Sequence, residues 1–227
     1  RQESARGSGG AQRPPAGPGQ SPAGGASAAP YTTLLRTPEV LGLCLLRYLP
    51  TFAWGIASLT IPLLIFRLSQ NSASTLGAYG TISLLCAGAA QLATGRLTDL
   101  RHGEVRPLLA PLTAAIVCAA LLTAAAIWTE SLPGLIAAGT LWTMAAWALS
   151  TTMPPLIRAL GGPDGSDRLV GLAHTMWSAG MLSGTLAAGA LIDLSPVAPI
   201  LLALACLTTA LFCAIWVNAL RLQPAPA

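Results

Sequence analysis

Downstream of Arg67 the charged residues fall in clusters, and the runs between clusters carry no charge at all. These runs are 28 (68–95), 23 (107–129), 27 (131–157), 24 (169–192) and 27 (194–220) residues long. Upstream, Arg47 and Arg67 bracket a further 19, with an apolar lead-in from Val40. At ~1.5 Å per helical residue, each run is long enough to cross a hydrocarbon core ~30 Å thick. The pattern predicts six membrane spans, near 39–66, 74–95, 107–129, 132–158, 168–192 and 196–220. An open chain in lipid must satisfy its backbone polar groups within each segment, so the spans are expected to be helices. Pro50 and Pro62 are expected to kink the first helix, and Pro154–Pro155 to mark the end of the fourth.

Composition sharpens this picture. Of 227 residues, 53% are hydrophobic and 9% charged, against about 25% charged in a soluble domain. A water-facing surface does not tolerate that deficit, whereas a lipid-facing one requires it. The net charge is +4, carried by Arg without a single Lys. These Arg residues are spread over loops, with no basic face and no interleaved aromatics, which argues against nucleic acid as a partner. The five cysteines, Cys44, Cys86, Cys118, Cys206 and Cys213, all fall inside apolar runs without metal-ligand spacing, and read as packing residues. No metal or cofactor is expected. Residues 1–36 are a Gly/Pro/Ser/Ala-rich segment expected to be a disordered tail or linker, and 37–227 a single six-helix bundle.

The Arg distribution orients the spans. With the N-terminus inside, the inner side carries Arg36, Arg96, Arg101, Arg106, Arg158, Arg168 and Arg221, besides three in the tail, and the outer side carries Arg67 alone. Both termini are then cytoplasmic, in a multi-pass protein of the plasma or inner membrane. Trp128 falls at the outer end of the third span, a position suited to an interfacial aromatic belt.

Two clusters stand out. The loop after the second span reads Gly95-Arg96-Leu97-Thr98-Asp99-Leu100-Arg101-His102-Gly103-Glu104-Val105-Arg106. Gly95 permits close backbone approach, Asp99 can accept from Arg neighbours or exposed helix N–H groups, and Gly103 permits a tight turn. The fifth span opens at Asp167-Arg168 and carries Gly180, Gly184 and Ala188 at four-residue spacing, a smooth stripe against which another helix can pack. The loop resembles the cytoplasmic signature of the major facilitator superfamily, Gly-x-x-x-Asp followed by a basic residue, Gly and further bases. Leu100 intervenes before Arg101, Gly103 lies one place late and Glu104 stands where a base is usual. The fifth span is similar to the fifth or eleventh helix of that superfamily.

The resemblance implies an all-α membrane protein, six helices as two three-helix repeats, forming one half of a twelve-helix secondary transporter. It implies a small-molecule substrate moved by alternating access, and Gly95, Asp99, Arg101, Gly103 and Arg106 as a gating loop. The partners it implies are the lipid bilayer and the other six-helix half, or a second copy. The chain begins at Arg1 rather than Met and so is expected to be a fragment, a processed product or an incomplete record. The C-terminal half is favoured, because the Arg-bearing tail suits the loop between halves and Gly184 is followed by Thr185 rather than by the Pro common in the fifth helix of proton-coupled exporters.

Ionisable groups inside spans are the default site candidates. Arg47 lies about two turns inside the first span, where it either snorkels to the inner headgroups or recognises an anion. His174, six residues past Arg168, is of the side-chain type that changes charge near neutral pH. Gln91 and Thr94, with Trp142 and Trp147, are placed to line a cavity or to pack against lipid and helices. No Asp or Glu lies in the middle of a span, so an acidic proton relay is not expected. A membrane enzyme would need a clustered acid, base or nucleophile at membrane depth; none can be assembled from two His and no carboxylate cluster, and no catalytic residue is expected. The remaining alternative is a self-contained six-span protein that homodimerises through the Gly180/Gly184 stripe or serves as a subunit.

Overall fold

The structure, a computed structural model, describes residues 35–219, apart from the side chains of 162–165. The segment expected to be disordered, 1–36, lies almost entirely outside the described residues. Six helices follow in order: α1 (Pro38–Leu68), α2 (Ala73–Leu100), α3 (Arg106–Trp128), α4 (Leu132–Thr151), α5 (Met153–Ile192) and α6 (Ala198–Ala219). Six helical stretches are long and apolar enough to cross a membrane, with the fourth and fifth spans running Leu132–Gly161 and Ser166–Ile192. Among the described residues there is no strand.

Local chemistry sets the helix boundaries. Ser72 and Ser131 cap α2 and α4, their hydroxyls accepting from the Thr75 and Gly134 N–H groups at 3.2 Å, which satisfies donors left orphaned at a helix start. Proline stands in the first turn of α1, α3, α4 and α5, where its missing N–H removes no helical bond. The fourth span breaks at Thr152, directly before Pro154 and Pro155, and resumes as the first turns of α5. A loop was expected over 161–167. The connection is tighter: a Cβ on Gly161 would lie 2.6 Å from the Ser166 Cα, although residues five apart in a straight helix are separated by ~7.5 Å along the axis. The chain reverses there without a long excursion.

The second boundary that differs is the end of α2. The helix runs five residues past Gly95, so Gly95 and Asp99 sit on its last turns rather than in a loop. It is closed by two crossing bonds, Gly103 N–H to the Thr98 carbonyl at 2.9 Å and His102 N–H to the Asp99 carbonyl at 3.0 Å. This is the Schellman closure of a helix C-terminus. His102 and Gly103 both adopt positive φ, 55° and 81°. The expected tight turn at Gly103 is therefore present. Close backbone approach at Gly95 is not: a Cβ there would meet nothing within 4 Å.

The helices pack in a pattern with internal symmetry. Helix α1 packs on α5 and α6, α4 packs on α2 and α3, and α3 packs on α6. Exchanging helices 1–3 for 4–6 maps this set of pairs onto itself, as two three-helix repeats require. Lipid tails are as apolar as leucine, so burying leucine between spans gains little, and close approach through small residues matters more. Each principal contact of α1 uses such a residue. Gly42 abuts Val217 on α6, and Gly55 faces the Met181 carbonyl, where a Cβ would come to 2.6 Å. Gly180 and Gly184 lie against the α1 backbone at Tyr48 and Phe52, and Ala188 is fully buried. On α4, Gly139 receives Tyr79 of α2 and Ile61 of α1. The core between these crossings is filled by Leu43, Leu46, Ile56, Leu109, Trp142 and Leu207, all essentially inaccessible.

Polar side chains inside the bundle are mostly satisfied within their own helix. Thr113 and Thr123, both fully buried, donate to the carbonyls four residues back at 2.7 and 2.8 Å, the usual arrangement for a hydroxyl in a helix interior. A polar cluster bridges α2 and α4, where Ser83 and Thr140 hydroxyls lie 3.1 Å apart with Tyr79 and Thr143 beside them.

A Cβ and side chain at Gly184 would drive into the Phe52 carbonyl. Gly184→Leu is expected to destabilise the bundle by about 1–3 kcal/mol or more, read as a lowered unfolding midpoint in detergent. Gly189→Leu, with nothing within 4 Å on the same helix, should leave the midpoint nearly unchanged. At the α2–α3 turn, Gly103→Val should cost about 1–2 kcal/mol, whereas His102→Gly should raise the midpoint by relieving a left-handed non-glycine residue.

Candidate functional site: a cavity lined by an arginine and three tryptophans

The described residues hold a cavity of about 70 Å³ between α1, α4 and α5. Arg47 and Trp54 come from α1, Trp147 and Ser150 from α4, and Met153 and Trp177 from α5. The depth of the cavity follows from position along each span. Arg47, Ser150 and Trp177 each lie about ten residues from the same end of their spans, counted from Pro38, Gly161 and Ser166. At ~1.5 Å per residue this is ~15 Å from the helix ends, and because spans of 31, 30 and 27 residues overhang a ~30 Å core, the layer lies in the half of the core nearer that end.

The guanidinium of Arg47 turns sideways onto α4, where Nη1 donates to the Ser150 hydroxyl at 3.3 Å. This is its one side-chain hydrogen bond among the described residues, and no carboxylate there pairs with it. A guanidinium carries five N–H donors, and Arg47 is one of the residues lining the cavity. The arrangement holds Arg47 at depth instead of along the helix toward the headgroups. The backbone beneath it is fixed by Thr51, whose hydroxyl donates to the Arg47 carbonyl at 2.6 Å, one residue past Pro50, which supplies no N–H to the helix. Burial of an unpaired cation is costly, and Trp54, Trp147 and Trp177 line the same cavity.

The other candidates lie at varying distance from this centre. His174 is exposed on α5 and stands edge-on to Trp177, ring centroids 6.4 Å apart; it touches a wall of the cavity without lining it. Trp147 lines the cavity, but Trp142 does not: it is fully buried in the core, with its indole N–H unpartnered. Gln91 and Thr94 are on α2, away from the cavity. Asp99 and Arg101 are exposed at the α2 end, and Arg106 is half-buried at the first position of α3. Asp167 is exposed and Arg168 half-buried at the start of the fifth span. Thus the α2–α3 turn and the Arg47 cavity are separate features.

Trp54, Ser150, Met153 and Trp177 were not singled out in the sequence. A depth count was the available signal: residues equally far from the inner ends of spans 1, 4 and 5 share a layer. Which of them face one another depends on helix rotation, which apolar spans of low amphipathicity do not encode. Among the described residues no group of three or more His, Cys, Asp or Glu side chains is placed to hold a metal ion.

Neither the curated proteins nor the solved structures contain a match to this chain. The family comparison does: residues 14–227 match the Major Facilitator Superfamily model. That match spans all six helices, and the chain belongs to the major facilitator superfamily of membrane transporters.

Proposed function

We propose that this chain forms a six-helix half of a secondary active transporter, moving a small solute by alternating access. The observation that carries the reading is the Arg47 cavity: a cation within the membrane-spanning part of the bundle, without a counter-charge among the described residues, lined from three spans. A binding site between spans is what alternating access requires, since the two halves rock about a fixed site. Arg47 is the proposed substrate-facing charge, with His174 acting through Trp177. Gln91, on another helix, has a lesser claim.

Both termini lie on the cytoplasmic side of the cell membrane in this reading, following the Arg bias. Asp99, Arg101, Gly103 and Arg106 then form a cytoplasmic gating turn, with Gly95 one turn earlier and Asp167–Arg168 at the head of the fifth span. The exposed faces of α2 and of the fifth span, with Leu84, Leu85, Leu92, Leu182 and Leu186, are available to a second six-helix half and to lipid. The Gly180/Gly184 stripe is not available to a second copy, because α1 of the same chain occupies it. Homodimerisation through that stripe is therefore set aside.

The test is solute flux in proteoliposomes carrying the intact protein. Arg47→Ala is expected to reduce flux at least about tenfold, the scale of one lost charge-assisted contact, while protein abundance in the membrane is unchanged; wild-type flux would remove Arg47 from the site. Asp99→Asn is expected to slow exchange between inward- and outward-facing states by severalfold while substrate affinity holds. Unchanged turnover would reduce the turn to a topogenic charge cluster.

A further inference from the structure

The walls of the Arg47 cavity say more than that something binds. Trp54, Trp147 and Trp177 come from three different spans and converge beside one guanidinium. Trp147 and Trp177 are each 39% exposed and edge the open side. The lining contains no carboxylate. The polar side chains of the lining are few: the Arg47 fork, which matches a carboxylate bidentately, the Ser150 hydroxyl, which can donate to the same anion while still accepting from Nη1, and Thr51, whose hydroxyl is already donated to the Arg47 carbonyl. A single formal positive charge favours a monoanion. One water needs roughly 10–15 Å³, so a cavity of about 70 Å³ takes a carboxylate and the start of a flat body whose remainder lies beside the indoles that line it.

We infer that the substrate recognised at this site is a small organic monoanion, a carboxylate on a flat apolar or aromatic body, with Arg47 and Ser150 holding the carboxylate and Trp54, Trp147 and Trp177 stacking the body. The word substrate rests on the transporter function proposed above; the binding site does not. Among the described residues no carboxylate lines the cavity beside this cation, and the bound ligand supplies that charge. It disfavours cations, which the Arg47 charge repels, and sugars, which need several polar groups where this lining offers tryptophan.

Calorimetric titration of the intact protein in nanodiscs of zwitterionic lipid tests the inference. The probes are benzoate, its neutral isostere benzamide, the cation benzylammonium, and acetate, which keeps the charge and lacks the ring. Benzoate is expected to bind at least about tenfold more tightly than benzamide, on the scale of a charge-assisted hydrogen bond, and severalfold more tightly than acetate, on the scale of an aromatic contact. Benzylammonium should show no binding. Arg47→Gln should abolish the preference of benzoate over benzamide, and Trp147→Ala should shrink the preference of benzoate over acetate while leaving the charge preference in place. Equal binding of benzoate and benzamide, or a charge preference that survives Arg47→Gln, would overturn the assignment. So would displacement of benzoate by phosphatidylglycerol added to the nanodiscs, which would make the occupant a lipid headgroup. Flux separates the two layers of the claim. Transport of other solutes without benzoate binding sinks the substrate class and spares the transporter; benzoate binding with no transport of any solute does the reverse.

Discussion

Everything in this bundle is arranged around the crossing of α1 and α5. Two glycines of α5, Gly180 and Gly184, rest on the backbone of α1 at Tyr48 and Phe52, and Gly55 of α1 returns the contact against Met181. Lipid offers spans no hydrophobic reward for associating, so the approach of backbone to backbone must supply it through dispersion and dense packing. A hydrogen bond between the Tyr48 and Ser183 hydroxyls at 3.0 Å pins the register of the pair. Because this crossing fixes α5 against α1, it also brings Trp177 to the same layer as Arg47. The Arg47 cavity is a by-product of how closely two helices can meet.

The repeat symmetry places a second crossing where the first would predict one. As α1 meets α5, so α4 meets α2, and Gly139 is the small residue there, seated against Tyr79 and Ile61. The second crossing is more polar, with Ser83, Thr140 and Thr143 around the Tyr79 hydroxyl. Together the crossings leave α1 and α4 as the central helices of the two repeats, adjoining each other across the bundle. These are the helices that supply Arg47 and Ser150. A hydrogen bond between them thus joins the two repeats at the floor of the cavity.

The turn between α2 and α3 shows how a sequence pattern and a local fold interact. The spacing of Asp99 and Gly103 looks irregular when the segment is taken as a loop. With α2 extended to Leu100, the same residues become the last helical turn and its closure, in which the Asp99 carbonyl receives the His102 N–H and Gly103 takes the left-handed conformation. The carboxylate of Asp99 is left exposed on the helix end, among Arg96, Arg101 and His102.

The sequence by itself determined the number of spans, their helical state, their limits to within a few residues and the family, since charge is too costly in hydrocarbon to be placed anywhere but the ends. It also marked Arg47 as the exception to that rule. It did not reveal the extension of α2, because a polar helical turn outside the membrane has no hydropathy signal, nor the tight reversal at Gly161–Ser166. It left Gly180, Gly184 and Ala188 as a stripe without an owner, and only the tertiary structure assigned it to α1. The same limit applied to Trp142 and Trp147, alike in sequence, of which one is core and the other lines the cavity. In a span that is apolar all round, periodicity cannot say which face meets protein and which meets lipid. That choice is made by where small residues let backbones touch, and it is the tertiary structure that decided it.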